Sequence, residues 1–85
     1  MTLSADSAAV LAAVSEIFAR VTNQPALVVD MSRRLDAIER LDSLRLLETI
    51  ALAEEHFGVA VDTSGFGELE TVADIVRLLS AARQG

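Results

Sequence analysis

Between Asp42 and Gly58 the sequence allows essentially one local structure. Leu46, Ile50, Ala53 and Phe57 recur at i, i+4, i+7 and i+11, which is one face of an α-helix. Leu44, Leu47 and Ala51 form a second apolar row about one step round the same helix, while Glu48, Glu54 and Glu55 supply its charge. Asp42 is suited to cap the start, and Gly58 to end the helix in a left-handed turn. The spacing therefore predicts a helix over Ser43–Phe57, and the rest of the chain must find ways to cover its apolar face.

Two further helices are legible. Val10, Val14, Ile17 and Val21 share a face, widened by Leu11 and Phe18, and predict a helix from about Ser4 to Val21. Ser4 or Asp6 suits its cap, and Asn23-Gln24-Pro25 stops it, because proline disfavours a helical residue before it. Near the other end, Thr71-Val72-Ala73-Asp74 resembles a capping box with Asp in place of Glu or Gln. Val72, Ile75, Val76 and Leu79 follow at helical spacing, and the helix is expected to fray at Arg83-Gln84-Gly85. Val59-Ala60-Val61 reads as an extended link. Ser64 to Leu69 has room for one weak helical turn, limited by Gly65 and Gly67.

The stretch from Thr22 to Asp42 is different. It holds Ala26, Leu27, Val28, Val29, Leu35, Ile38 and Leu41 with no sustained period. A loop of this length in a small domain is uncommon and often functional. It is expected to lie against the helices, with a short helical turn fitting near Ser32 to Ile38. No internal repeat or low-complexity tract interrupts the pattern.

At 85 residues, one domain with one modest core is expected, and with no cysteine that core has no disulfide to help it. The apolar half of the chain is mostly Ala, Leu and Val, with no Trp or Tyr, which favours helix packing over a sheet. Net charge is −6, and the basic residues are all Arg. A nucleic-acid binder needs a positive stripe, which this sequence lacks, and an acidic chain is repelled by anionic membranes. No apolar run approaches the roughly 20 residues of a membrane span, and no secretory signal is visible, so cytoplasmic residence is the default.

The acidity is unevenly spread. From Asp42 to Asp74 there are eight acids and one base, Arg45, against five acids and four bases in the first 41 residues. An acidic helix with an outward apolar row suits reversible docking on a protein with a basic patch. At its head stands Ser43, preceded by Asp42. The first turn of a helix leaves backbone N–H groups without partners, and these attract a phosphate. Ser43 also has a plainer reading as a helix-terminal residue beside its cap, and the two readings are compatible.

Asp42-Ser43-Leu44 at the head of an acidic amphipathic helix resembles the acyl carrier protein family, which includes the peptidyl carrier proteins. The resemblance runs over nearly the whole chain: a first helix, a long loop, the Asp-Ser-Leu turn, a helix ending in Phe57-Gly58, a short third helix and a last helix opening Thr71 to Val76. It implies an all-α, four-helix bundle of the acyl carrier protein type, with three longer helices and one short one. It implies that Ser43 receives 4'-phosphopantetheine from coenzyme A through a separate phosphopantetheinyl transferase, with Asp42 helping to position the donor. It places Leu44, Leu47, Glu48 and Ala51 on the partner-docking face.

The resulting expectation is a monomeric, non-enzymatic carrier of acyl or aminoacyl thioesters, either free-standing, the main reading, or a domain cut from a larger synthase, serving synthases, ligases or transferases of a polyketide, nonribosomal peptide or fatty-acid pathway. Two positions depart from the family pattern. Arg40 stands where glycine is frequent, and Arg45 where an acid or an uncharged residue is frequent. Both set positive charge beside the docking surface, which points towards a secondary-metabolite pathway.

Rival readings are an acidic helical adaptor without a prosthetic group and a small hydrolase using Ser43. The hydrolase lacks a sequence-evident base or oxyanion loop. His56, the only histidine, has no Cys or second His for zinc and is assigned no chemistry. Asp36, Glu39 and Asp42 do not follow the spacing of a calcium loop.

Overall fold

The computed structural model describes residues 5–84. Three α-helices carry the fold: α1 (Ala5–Val21), α2 (Ser43–Phe57) and α3 (Val72–Gln84). Two single 3-10 turns, Leu35–Ala37 and Phe66–Glu68, lie in the connections. Among the described residues there is no strand, only an isolated antiparallel bridge between Arg34 and Thr71. Helix α1 packs against both α2 and α3, which touch each other less.

The expected fourth helix is therefore not an α-helix. Between α2 and α3 stands one 3-10 turn, flanked and interrupted by Gly65 and Gly67, whose backbone freedom opposes propagation of a helix. None of the residues in this turn is buried, so packing does not offset that cost. The turn expected near Ser32 to Ile38 is likewise a 3-10 turn of three residues, with Leu35 buried. Ser4, expected as the start and cap of α1, and Gly85 lie outside the described residues. Helix α3 runs to Gln84, beyond the expected fray at Arg83.

The helix ends have clear physical causes. Helix α1 closes in a Schellman motif: the Gln24 N–H donates to the Ala19 carbonyl at 2.8 Å and the Asn23 N–H to the Arg20 carbonyl at 3.2 Å. Asn23 takes the left-handed conformation, φ 55°, so the stop precedes Pro25. Helix α2 ends at Gly58, φ 66°, where the Cβ of other residues is strained. At the start of α3, Asp74 reaches back as a capping box requires. One of its carboxylate oxygens accepts the N–H groups of Thr71 at 3.0 Å and Glu70 at 2.9 Å.

The core joins Val10, Val14, Ile17 and Phe18 of α1 to Leu46, Ile50 and Ala53 of α2 and to Val72, Ile75, Val76 and Leu79 of α3. The long loop adds Val29, Leu35 and Ile38, all buried. Burying one side chain of this size stabilises by about 1.5–3 kcal/mol. Hydrogen bonds also hold the loop. The Val29 N–H donates to the Ser15 hydroxyl at 3.1 Å, and the Leu35 N–H to the Glu70 carbonyl at 2.9 Å. In return, α3 donates Val72 N–H to the Arg33 carbonyl and Ala73 N–H to the Met31 carbonyl, both at 2.9 Å. The loop thus arrives at Asp42 fixed on both sides.

Candidate functional site at the head of α2

Ser43 is the first residue of α2 and is exposed. Asp42 precedes it as N-cap in extended conformation, and its carbonyl accepts the Leu46 N–H at 2.9 Å, opening the helix. Its Oδ1 accepts the Arg45 backbone N–H at 2.8 Å, and its Oδ2 accepts the Arg45 guanidinium at 3.0 Å. The Arg45 N–H, and behind it the guanidinium charge, hold the Asp42 carboxyl below the usual carboxylate range.

The two apolar rows of α2 part company in the fold. Leu46, Ile50 and Ala53 are buried, and Phe57 is half-buried. Leu44 is 74% exposed and Leu47 44%, with Glu48 and Ala51 exposed beside them. The residues grouped as a docking face from the sequence therefore share one solvent-facing surface next to Ser43. Beside the serine, a depression of ≈ 260 Å³ is lined by Leu35, Leu41, Leu46 and Leu69, with Asp36, Asp42 and Ser43. Leu69 belongs to the connection before α3, and no periodic signal marked it.

The two arginines expected to set positive charge beside the docking surface both donate to acceptors within the fold. Arg45 turns back, donating from Nε to the Val21 carbonyl at 3.2 Å as well as to Asp42. Arg40 adopts φ 68°, the left-handed region that favours glycine, and its guanidinium donates to the Thr22 carbonyl at 3.4 Å. An orphan carbonyl at a helix C-terminus is a favourable place for such cations.

The remaining sequence candidates do not gather here. His56 sits 13 residues beyond Ser43 on the same helix, about 20 Å along it at 1.5 Å per residue, so it is no base for that hydroxyl. Its ring stands edge-on to Phe57 at 4.8 Å. Asp36 pairs with Arg34 at 3.1 Å, and among the described residues no group of three His, Cys, Asp or Glu side chains is arranged to hold a metal ion. No helix among them is long and apolar enough to cross a membrane.

The site is thus an exposed serine at the first position of an amphipathic helix capped by Asp42, in an all-helical fold, with apolar side chains left in solvent beside it. The family described as the phosphopantetheine attachment site matches residues 12–79, and the chain belongs to it. Members of that family hold 4'-phosphopantetheine covalently. Searches of curated proteins and of solved structures gave no match.

Proposed function

We propose that this chain carries acyl or aminoacyl intermediates as thioesters on a 4'-phosphopantetheine arm esterified to Ser43, and is not itself an enzyme. The observation that carries the reading is the exposed Ser43 at the first position of α2, flanked by the exposed Leu44 and Leu47. In the loading step, Ser43 Oγ forms a bond to phosphorus while the pyrophosphate linkage of coenzyme A breaks. The hydroxyl proton leaves, and adenosine 3',5'-bisphosphate departs. The arm then supplies a thiol for the cargo.

The surroundings fit a phosphate ester. The first-turn N–H groups of α2 point out of its N-terminus, where negative charge is favoured. Arg45 offsets the carboxylate of Asp42, and Arg34 that of Asp36. Leu44, Leu47, Glu48 and Ala51 form the surface read by a phosphopantetheinyl transferase and by pathway synthases, ligases or transferases. The pathway served is a polyketide, nonribosomal peptide or fatty-acid one.

The test is incubation with coenzyme A, magnesium and a broad-specificity phosphopantetheinyl transferase, followed by intact mass. The expected result is a gain of one phosphopantetheine, absent in Ser43→Ala. No gain with several transferases would overturn the carrier reading and leave an acidic adaptor.

A further inference from the structure

The geometry points to Arg45 as a positioning residue for Ser43, a staple that fixes the serine turn to the C-terminus of α1. The inference rests on Ser43 being the attachment point and concerns how that hydroxyl is held. Ser43 is the first helical residue, so the backbone before it is loop, and that loop passes through a left-handed residue at Arg40. Helical hydrogen bonding alone does not fix such a turn.

Arg45 joins three pieces. Its backbone N–H is held by Asp42 Oδ1, its Nη1 donates to Asp42 Oδ2, and its Nε donates to the Val21 carbonyl. One side chain thus ties the cap of α2, the first turn of α2 and the last turn of α1. The chemistry calls for arginine. A guanidinium presents separate N–H groups in a rigid fork and serves two acceptors in different segments, whereas a lysine ammonium is a point donor on a flexible stem. The backbone carbonyl of Arg45 is itself held, accepting the Thr49 hydroxyl at 2.8 Å, so the root of the side chain is anchored in the helix.

The consequence is kinetic. Phosphoryl transfer to Ser43 requires its oxygen in line with the breaking phosphorus–oxygen bond, and freedom at the nucleophile lowers the rate. The Arg45 side chain is 47% exposed and its ion pair with Asp42 is a surface one, so the effect is moderate.

The test is the loading kinetics of the full chain with coenzyme A, magnesium and a broad-specificity transferase, paired with amide hydrogen exchange. R45A and R45K should each lower kcat about three- to tenfold with KM unchanged. Exchange at the Leu46 amide, which donates to the Asp42 carbonyl, should quicken in both. R77A, which removes an exposed ion pair with Asp74 on α3, should load as wild type.

Wild-type kcat in R45A would overturn the proposal. So would a raised KM with kcat intact, which would make Arg45 a direct transferase contact, or full rescue by R45K, which would make charge sufficient. Failure of the wild-type chain to load would instead sink the Ser43 reading. Exchange then decides the staple alone, and unchanged exchange in R45A would refute it.

Discussion

Val72 donates its backbone N–H to the carbonyl oxygen of Arg33 at 2.9 Å, and through that bond the long loop becomes part of the N-terminal cap of the last helix. Ala73 repeats the arrangement with Met31, and Asp74 serves Thr71 and Glu70 on the other side. The start of α3 is therefore satisfied by two segments at once.

Asp74→Ala removes the side-chain share of that cap and should cost about 1 kcal/mol, within the usual range for a lost helix cap, as read by urea unfolding. The N–H of Glu70, followed by that of Thr71, holds the Asp74 carboxyl below its ordinary value. A group whose pKa is lowered by folding stabilises above its unfolded value and loses that contribution as pH falls through the folded one. Stability should thus decline on acidification below about pH 4. Asp74→Asn should flatten part of that decline, and a curve parallel to wild type would refute the assignment.

Arg83 links all three helices. It pairs with Asp6 of α1 at 2.6 Å and lies 4.8 Å over the Phe57 ring of α2. Its side chain is about one-third exposed, so the contacts are partly shielded. Arg83→Ala should cost about 1–2 kcal/mol. For a chain of this size each kcal/mol lowers the melting temperature by roughly 4–8 °C.

Leu44 and Leu46 are the same residue two positions apart, 74% and 9% exposed. Leu46→Ala should destabilise by about 2–5 kcal/mol through a core cavity. Leu44→Ala should stay within about 0.5 kcal/mol of wild type in unfolding, yet slow transfer to and from partner enzymes. Equal unfolding curves for the two variants would contradict the division of α2 into an inner and an outer row.

Glu48 is exposed on the outer row. Glu48→Arg should leave the circular dichroism and melting curve unchanged while slowing partner transfer, more so at low salt, because charge acts on encounter. Unaltered transfer rates across ionic strengths would move the docking surface elsewhere.

Much of this was legible in the sequence, for a physical reason. Helix α2 has the expected bounds because cap, stripe and Gly58 all act locally. The capping box was readable because Asp74 and Thr71 are three residues apart. The long loop was not, since Val29, Leu35 and Ile38 enter the core singly from non-repeating backbone, leaving no period to detect. Its bonds to α3 run between main-chain atoms some 40 residues apart, which no side-chain pattern encodes. Arg45 and Arg83 were readable as charges but not as ties, because their partners lie on other helices. Leu11, grouped with the core face of α1, is only half-buried and lines an open groove beside Leu27 and Val28. At the site, the exposure of Leu44 and Leu47 was decided by where α1 and α3 cover α2.

Because carbonyls of residues 31 and 33 cap α3, the seal is made by main-chain atoms that every residue type possesses. Ser32, Arg33 and Arg34 are exposed, so their side chains are free to drift over generations without loosening the seal. The number of residues is not free to drift. One residue added or removed between Val29 and Leu35 would shift both carbonyls off their donors. The segment should tolerate substitution broadly and length change hardly at all, a signature that a deep mutational scan including insertions and deletions would display directly.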